Sequence, residues 1–375
     1  MYKIPFNKPY FTGKETKFIH DALAQGKLSA NGKYTGLCQH FFEQRYGFYK
    51  TFLTNSCTQA LEMTALLMDI RPGDEVIVPS YTFVSTANAF ALRGARIVFA
   101  DSRPDYPGVS IEDLESLITA RTKAIVLVHY GGIACDMQQV MGLAGRHGLF
   151  VVEDAAAALD AFYINGEGEK QALGTFGHFA AFSFHETKNI SSGEGGMLVV
   201  NDSRFLESAT EIWERGTNRS AFLRGEVERY DWVSLGSAYA PSEITAACLW
   251  AQLQHLDDIQ SERKRIWEWY DKNLGSIWPQ FDGEVPHIPL FSQHNFHMYY
   301  LVCTDQKDRD LIISRLGQKG VLAVFHYQCL HRSPFYSALH DGRKLLEAEK
   351  YSQSLLRLPF YYGLDTDSLK EMLKD

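Results

Sequence analysis

The chain has 375 residues, 45% of them hydrophobic and 22% charged, which is enough for a sizeable core divided between two domains. A formal net charge of −8, with no block of lysine and arginine, argues against a nucleic-acid or anionic-membrane partner. Six scattered cysteines without C-x-x-C spacing fit reduced thiols, and no apolar run is long enough for a leader or a membrane span, so a soluble cytoplasmic protein is expected.

Along the first two-thirds, short β-branched runs alternate with helical patterns, the signature of an α/β domain. Seven strands are predicted: Thr51–Thr54, Glu75–Val78, Arg96–Ala100, Ala124–Val128, Phe150–Glu153, Ala180–Ser183 and Met197–Val200. Several are almost wholly apolar, as strands covered on both faces must be. Helices are predicted at Gln59–Met68, Val84–Leu92, Ser110–Ile118 and Met137–His147, the last closed by Gly148 as a C-cap. Pro72-Gly73-Asp74 reads as a turn. From about Ser242 the texture changes: Ile244–Arg265 is one long helical pattern continuing through Trp267–Asn273. Beyond it, Met298–Cys303 and Leu322–Tyr327 read as strands and Arg309–Lys319 as a helix between them, a smaller α+β unit.

Two ionisable residues stand out on this frame. Asp154 follows the fifth predicted strand, and Lys188, in Phe182-Ser183-Phe184-His185-Glu186-Thr187-Lys188-Asn189, follows the sixth. Ser56-Cys57-Thr58 lies where a strand gives way to a helix, so free N–H groups and the helix dipole favour an anion there, although the same run also serves as a plain N-cap. Phe83 offers a flat ring, for a ligand or for the core. Gly193-Glu194-Gly195-Gly196 reads as a tight turn. The spacing of His129, His185, His297 and His326 fits no metal-ligand motif, and no metal site is expected.

The order of these pieces resembles the aspartate-aminotransferase fold and, within it, the DegT-type family of sugar-nucleotide aminotransferases. The resemblance runs from Ile4-Pro5-Phe6-Asn7-Lys8-Pro9 through Gly73-Asp74-Glu75-Val76-Ile77-Val78-Pro79-Ser80-Tyr81-Thr82-Phe83 and Val152-Glu153-Asp154-Ala155-Ala156 to His326-Tyr327 and Leu358-Pro359. It implies an α/β architecture: a seven-stranded, mostly parallel sheet in a large pyridoxal-phosphate domain over residues 1–241, with the N-terminal segment packing on a smaller C-terminal α+β domain over residues 242–375. It implies pyridoxal 5′-phosphate as cofactor, with Lys188 forming its Schiff base and Asp154 pairing with its ring nitrogen. Ser56, Cys57, Thr58 and Ser183 would hold the phosphate, and Phe83 would stack on the ring. His185, His326 and Tyr327 match family positions near the substrate. The implied partners are a keto sugar nucleotide, glutamate as amino donor, and a second copy of the chain sharing the active sites.

Two departures matter. Where the family carries a glutamine or histidine that donates to the cofactor's phenolic oxygen, this chain has Ala157. Ala238 and Ala240 stand where relatives carry an asparagine that reaches the partner's phosphate site and an arginine, leaving Asn218 and Arg219 as replacements. Within the family the resemblance points to amination at position 4 of dTDP-4-keto-6-deoxyglucose. The alternatives are amination at position 3 and a non-catalytic cofactor-binding regulator. A dehydratase branch carries histidine where Lys188 stands, and the lysine argues against it.

Overall fold

The computed structural model describes residues 2–279 and 281–373. Seven strands form its central sheet: β1 Lys50–Thr54, β2 Glu75–Pro79, β3 Arg96–Ala100, β4 Thr122–Val128, β5 Phe150–Asp154, β6 Phe179–Ser183 and β7 Gly196–Val200. Their order is β1-β7-β6-β5-β4-β2-β3, and β7 alone runs against its neighbours. All seven coincide with predicted strands, with ends shifted by at most two residues.

Side-chain alternation divides these strands between two cores. Ile125 and Leu127 of β4, Val151 of β5, and Met197 and Val199 of β7 pack into one cluster. Their neighbours Ala124, Val126, Val152, Leu198 and Val200 pack into another on the opposite face. Because both faces are buried, the polar groups that the sheet carries gather at the ends of the parallel strands, where a ligand can approach. Helix Met137–His147 ends as expected, with Gly148 at φ 64° and its N–H bonded back to Ala144.

Chain beyond Ser242 builds a third cluster around the antiparallel strands Tyr300–Val302, Leu355–Arg357 and Val324–Phe325, with Leu355–Arg357 central. Ile4 belongs to that cluster and bridges to Val321, so the N-terminal segment packs here. Two expectations need correction. The long helix is two, Glu243–Leu253 and Leu256–Ile277, broken at Gln254 and His255. The first helix buries Ala246, Ala247, Leu249 and Leu253 in the sheet-side core, whereas Ile266, Tyr270, Leu274 and Ile277 of the second fill the third cluster. Leu256 and Ile259, just after the break, still pack on the sheet-side core, so the second helix runs from one core into the other. The strand expected over Leu322–Tyr327 shrinks to Val324–Phe325, an edge pairing on one side only.

Two helices before the sheet, Glu15–Ala24 and Lys33–Tyr46, were not foreseen. The second begins at Gly32, which has no side chain to cap it. Its cap comes from the far side of the chain: the Glu243 carboxylate accepts from the N–H groups of Gly32, Tyr34 and Thr35 at 2.9, 2.7 and 3.1 Å. A small sheet of Ser292–Gln293, Phe162–Ile164 and Lys170–Ala172 was missed as well.

Candidate active site

Asp154 and Lys188 line one cavity of about 730 Å³ between the ends of the parallel strands and the C-terminal unit. It also takes in Ser56, Cys57, Thr58, Phe83, Ser183, His185, His326 and Tyr327, so all the site residues expected from one subunit meet there. Asn218 and Arg219 do not. Asn218 spends its side chain on its own loop, donating to Arg229 O at 3.0 Å and accepting from Asp231 N at 2.8 Å. Arg219 reaches Glu214 at 3.9 Å.

Alternation along β5 sends two adjacent carboxylates to opposite faces. Glu153 is wholly buried among donors: the N–H groups of Gly174, Phe176 and Gly177 at 2.7, 2.9 and 2.7 Å, and His129 Nε2 at 2.9 Å. Cys135 N donates to His129 Nδ1 at 3.2 Å, so the His129 proton sits on Nε2 and points at Glu153. Among the described residues, the Asp154 carboxylate receives only the Thr86 hydroxyl at 2.7 Å and Ala156 N at 3.2 Å. Desolvation raises its carboxyl above the usual range, against the pull of those two bonds. Lys188 Nζ makes no hydrogen bond or ion pair among the described residues, and burial lowers its pKa. A carboxyl and an amine therefore face one cavity without touching each other.

The anion end of the cavity lies at helix Cys57–Leu67, N-capped by Ser56 Oγ, which accepts from Gln59 N. Backbone packs so tightly here that a Cβ on Gly196 would stand 2.3 Å from Ser56 C. The Thr58 and Ser85 hydroxyls lie 2.7 Å apart and both line the space. Phe83 is half exposed at the rim, its ring 6.0 Å from that of Tyr327. At the mouth, His185 Nδ1 accepts from Thr187 N and its Nε2 lies 3.6 Å from Glu194.

These residues fit pyridoxal 5′-phosphate: an unspent buried carboxylate for a ring N–H, a free amine, a ring at the rim and a helix N-terminus for the phosphate. Beside Ala157 stand residues that sequence reasoning left without a role. Asn295 Nδ2 donates to Ala157 O at 2.8 Å, and His297, buried and neutral by desolvation, bonds Asn189 Oδ1 at 2.8 Å. Thr86, which donates to Asp154 from behind the lining, was missed too, as were His129, Tyr130 and Arg357 on it. For Thr86 a signal existed, since it lies one helical turn after Thr82 at the start of a helix, and the two hydroxyls bond at 2.9 Å.

Known proteins place this arrangement among pyridoxal-phosphate aminotransferases. The chain is similar to the aminotransferase TlmJ from Streptoalloteichus hindustanus (27% identity, TM-score 0.87, covering 100% of this chain and 97% of that one). It is also similar to Helicobacter pylori PseC, an aminotransferase involved in the biosynthesis of pseudoaminic acid (26%, TM-score 0.87, covering 99% and 97%). More narrowly, residues 9–375 match the DegT/DnrJ/EryC1/StrS aminotransferase family, and the chain belongs to it. The GDP-perosamine synthase of Escherichia coli O157:H7 is 32% identical over 374 residues, covering 98% of this chain and 96% of that protein. The spore coat polysaccharide biosynthesis protein SpsC of Bacillus subtilis (strain 168) is 30% identical over 384 residues, covering 99% and 95%. The protein is a pyridoxal-phosphate-dependent sugar aminotransferase.

Proposed function

We propose that this enzyme moves the amino group of glutamate onto a keto sugar nucleotide, with dTDP-4-keto-6-deoxyglucose aminated at position 4 as the leading substrate. The observation that carries the transfer reading is the pair of unspent charges, Lys188 and Asp154, on one buried cavity. Bound pyridoxal phosphate supplies an electron sink for the carbon that loses its proton. Lys188 is the group that takes and returns that proton: desolvation favours its neutral amine, which a general base requires. Asp154, held by Thr86 and Ala156, keeps the ring nitrogen protonated, since its own charge lacks any other cationic partner within ion-pair reach among the described residues. Ser56, Cys57, Thr58 and Ser183 hold the phosphate, Phe83 covers the ring, and His185, His326 and Tyr327 face the substrate.

The dTDP assignment rests on the resemblance in Ser80–Phe90 and Phe182–Asn189; relatives named GDP-perosamine synthase make a GDP-linked sugar the competing reading. The test is purified holoenzyme with glutamate and a panel of 3- and 4-keto sugars on dTDP and GDP, with products read by mass and NMR. A 4-amino dTDP sugar as the preferred product is expected. Preference for a GDP sugar, or for position 3, would replace the assignment. Conversion of the cofactor to its amine form by glutamate alone would exclude an inert regulator.

We further propose a cytoplasmic homodimer, with a large domain over 1–241 and a small one over 242–375, in which Asn218 and Arg219 complete the partner's site. The segment around them supports this, because Phe222, Leu223, Tyr230, Trp232 and Leu235 are exposed there. A monomer by light scattering that retains full activity would refute the shared site.

A further inference from the structure

His297 is only 3% exposed, lines the Lys188 cavity, and shares a small recess beside it with Ala157, Lys188 and Asn295. A chain of amides fixes which of its nitrogens carries the proton. Asn189 Nδ2 donates to the backbone carbonyl of Asn295 and to Gln260 Oε1, both at 2.9 Å, so Asn189 Oδ1 is the atom that meets His297 Nδ1, at 2.8 Å. Gln260 Nε2 in turn donates to the Asp160 carboxylate at 3.2 Å. A carbonyl beside one amide and a carboxylate beside the other can only accept. Neither amide can be turned round, and His297 Nδ1 must donate. Desolvation, with Lys188 and Arg357 nearby, keeps the ring neutral. Its one N–H is therefore spent inside the protein, and Nε2 carries a lone pair.

That nitrogen has no partner among the described residues. The other cavity histidines differ. His129 has both nitrogens bonded, to Cys135 N and Glu153. His326 lies between Tyr130 Oη at 2.9 Å and Nη1 of Arg357 at 3.4 Å, an arginine whose Nε stays unpaired. His185 keeps Nε2 beside Glu194. A buried acceptor without a donor is costly, so a ligand donor belongs opposite His297 Nε2. The chemistry of the ligands tells which one brings it. The phosphate and phenolate oxygens of bound cofactor accept. Glutamate presents two carboxylates, which a lone pair repels, and its amine is consumed in the transfer. A keto sugar carries hydroxyl donors, one of them on the carbon next to its carbonyl.

We propose that His297 Nε2 accepts a hydrogen bond from the sugar hydroxyl next to the reacting carbonyl, and that Asp160, acting through Gln260 and Asn189, is the remote group that fixes this acceptor form. This rests on the keto-sugar reading above. The experiment titrates holoenzyme at saturating glutamate with dTDP-4-keto-6-deoxyglucose and with its 3-deoxy analogue, or with the matching pair for the sugar that the panel selects. Wild type should use the deoxy sugar with kcat/KM lower by roughly 10–100-fold, the worth of a buried hydrogen bond. His297→Phe should lose a similar factor on the full sugar and nothing further on the deoxy sugar. Its loss should fall on the sugar reaction far more than on the glutamate half-reaction, which absorbance follows separately. Gln260→Leu, outside the cavity, should lose roughly 3–10-fold on the full sugar alone.

A wild type indifferent to the missing hydroxyl overturns the inference. So does a His297→Phe defect that is equal in the glutamate half-reaction, or one that adds to the loss caused by the deoxy sugar. An unaffected Gln260→Leu overturns the remote role of Asp160. A wild type that aminates no keto sugar, although glutamate converts its cofactor, sinks the keto-sugar reading itself and the inference with it. Variants are compared only when they retain wild-type circular dichroism. The wild-type comparison of the two sugars needs no substitution and decides if the variants do not fold.

Discussion

The cavity has two walls of different origin. The sheet wall brings Ser56, Cys57, Thr58, Asp154, Ser183 and Lys188 from the ends of β1, β5 and β6 and the turns after them. The C-terminal wall brings His297, His326, Tyr327 and Arg357 from the short strands of the C-terminal sheet and the connections beside them. The sheet wall keeps its polar groups open because buried parallel strands leave free N–H groups and carboxylates only at their ends. The C-terminal wall is built by long-range packing, and its open group, Arg357, is held by Phe6 at the other end of the chain. One strand shows how finely openness is set: Glu153 has four donors and is structural, whereas its neighbour Asp154 has two and faces the cavity.

That contrast can be broken most severely at Lys188. Lys188→Ala should cost at least ~10²–10⁴-fold in turnover, with the fold retained, as steady-state rates and circular dichroism would show. Retained turnover would remove the sheet wall's central role. Next comes Glu153→Ala, which strands His129 and three backbone donors; an equilibrium unfolding curve should lose about 3–5 kcal/mol. A loss confined to activity would mean the two carboxylates had been assigned the wrong way round.

Asp154→Asn should do the reverse. It should lower the rate of the glutamate half-reaction by roughly 10–100-fold, the worth of a charged hydrogen bond, without unfolding the protein. In the apo-protein it should raise Tm at neutral pH. The sign follows from burial: Asp154 has a raised carboxyl pKa, so its stabilising contribution is whole below the unfolded value of about 3.9 and is lost as pH rises through the folded value. The gap between wild-type and Asp154→Asn apo-protein should close on acidification. A wild-type apo-protein that is the more stable at neutral pH would contradict the open-charge description.

The smallest expected effect is at Ala157. Restoring a donor with Ala157→Gln should tighten pyridoxal phosphate, by at most the ~1.5–3 kcal/mol of a hydrogen bond to a charged oxygen, in a titration of the apo-protein. Unchanged or weaker binding would show that a neighbour such as His297 or Asn295 already fills that place.

The sheet wall was largely legible in the sequence. Runs such as Val151-Val152-Glu153-Asp154 carry their own period and end, so strand, turn and polar terminus could be read locally. Helix Lys33–Tyr46 could not, because Gly32 gives no capping signal and its cap, Glu243, lies more than 200 residues away. Arg357 was illegible for the same reason: one arginine before Leu358-Pro359 looks like any surface charge until the fold buries it. Spacing could not assign His129 either, since its proton is fixed by Cys135 and Glu153.

Lys188, in the open cavity, is the residue proposed to anchor the cofactor covalently. Holoenzyme treated with borohydride, digested and sequenced by mass spectrometry tests it directly. The reduced pyridoxyl mass is predicted on the peptide carrying Lys188, and prior addition of glutamate should abolish it. A label on another lysine, or a cofactor that is never covalently trapped, would contradict the account.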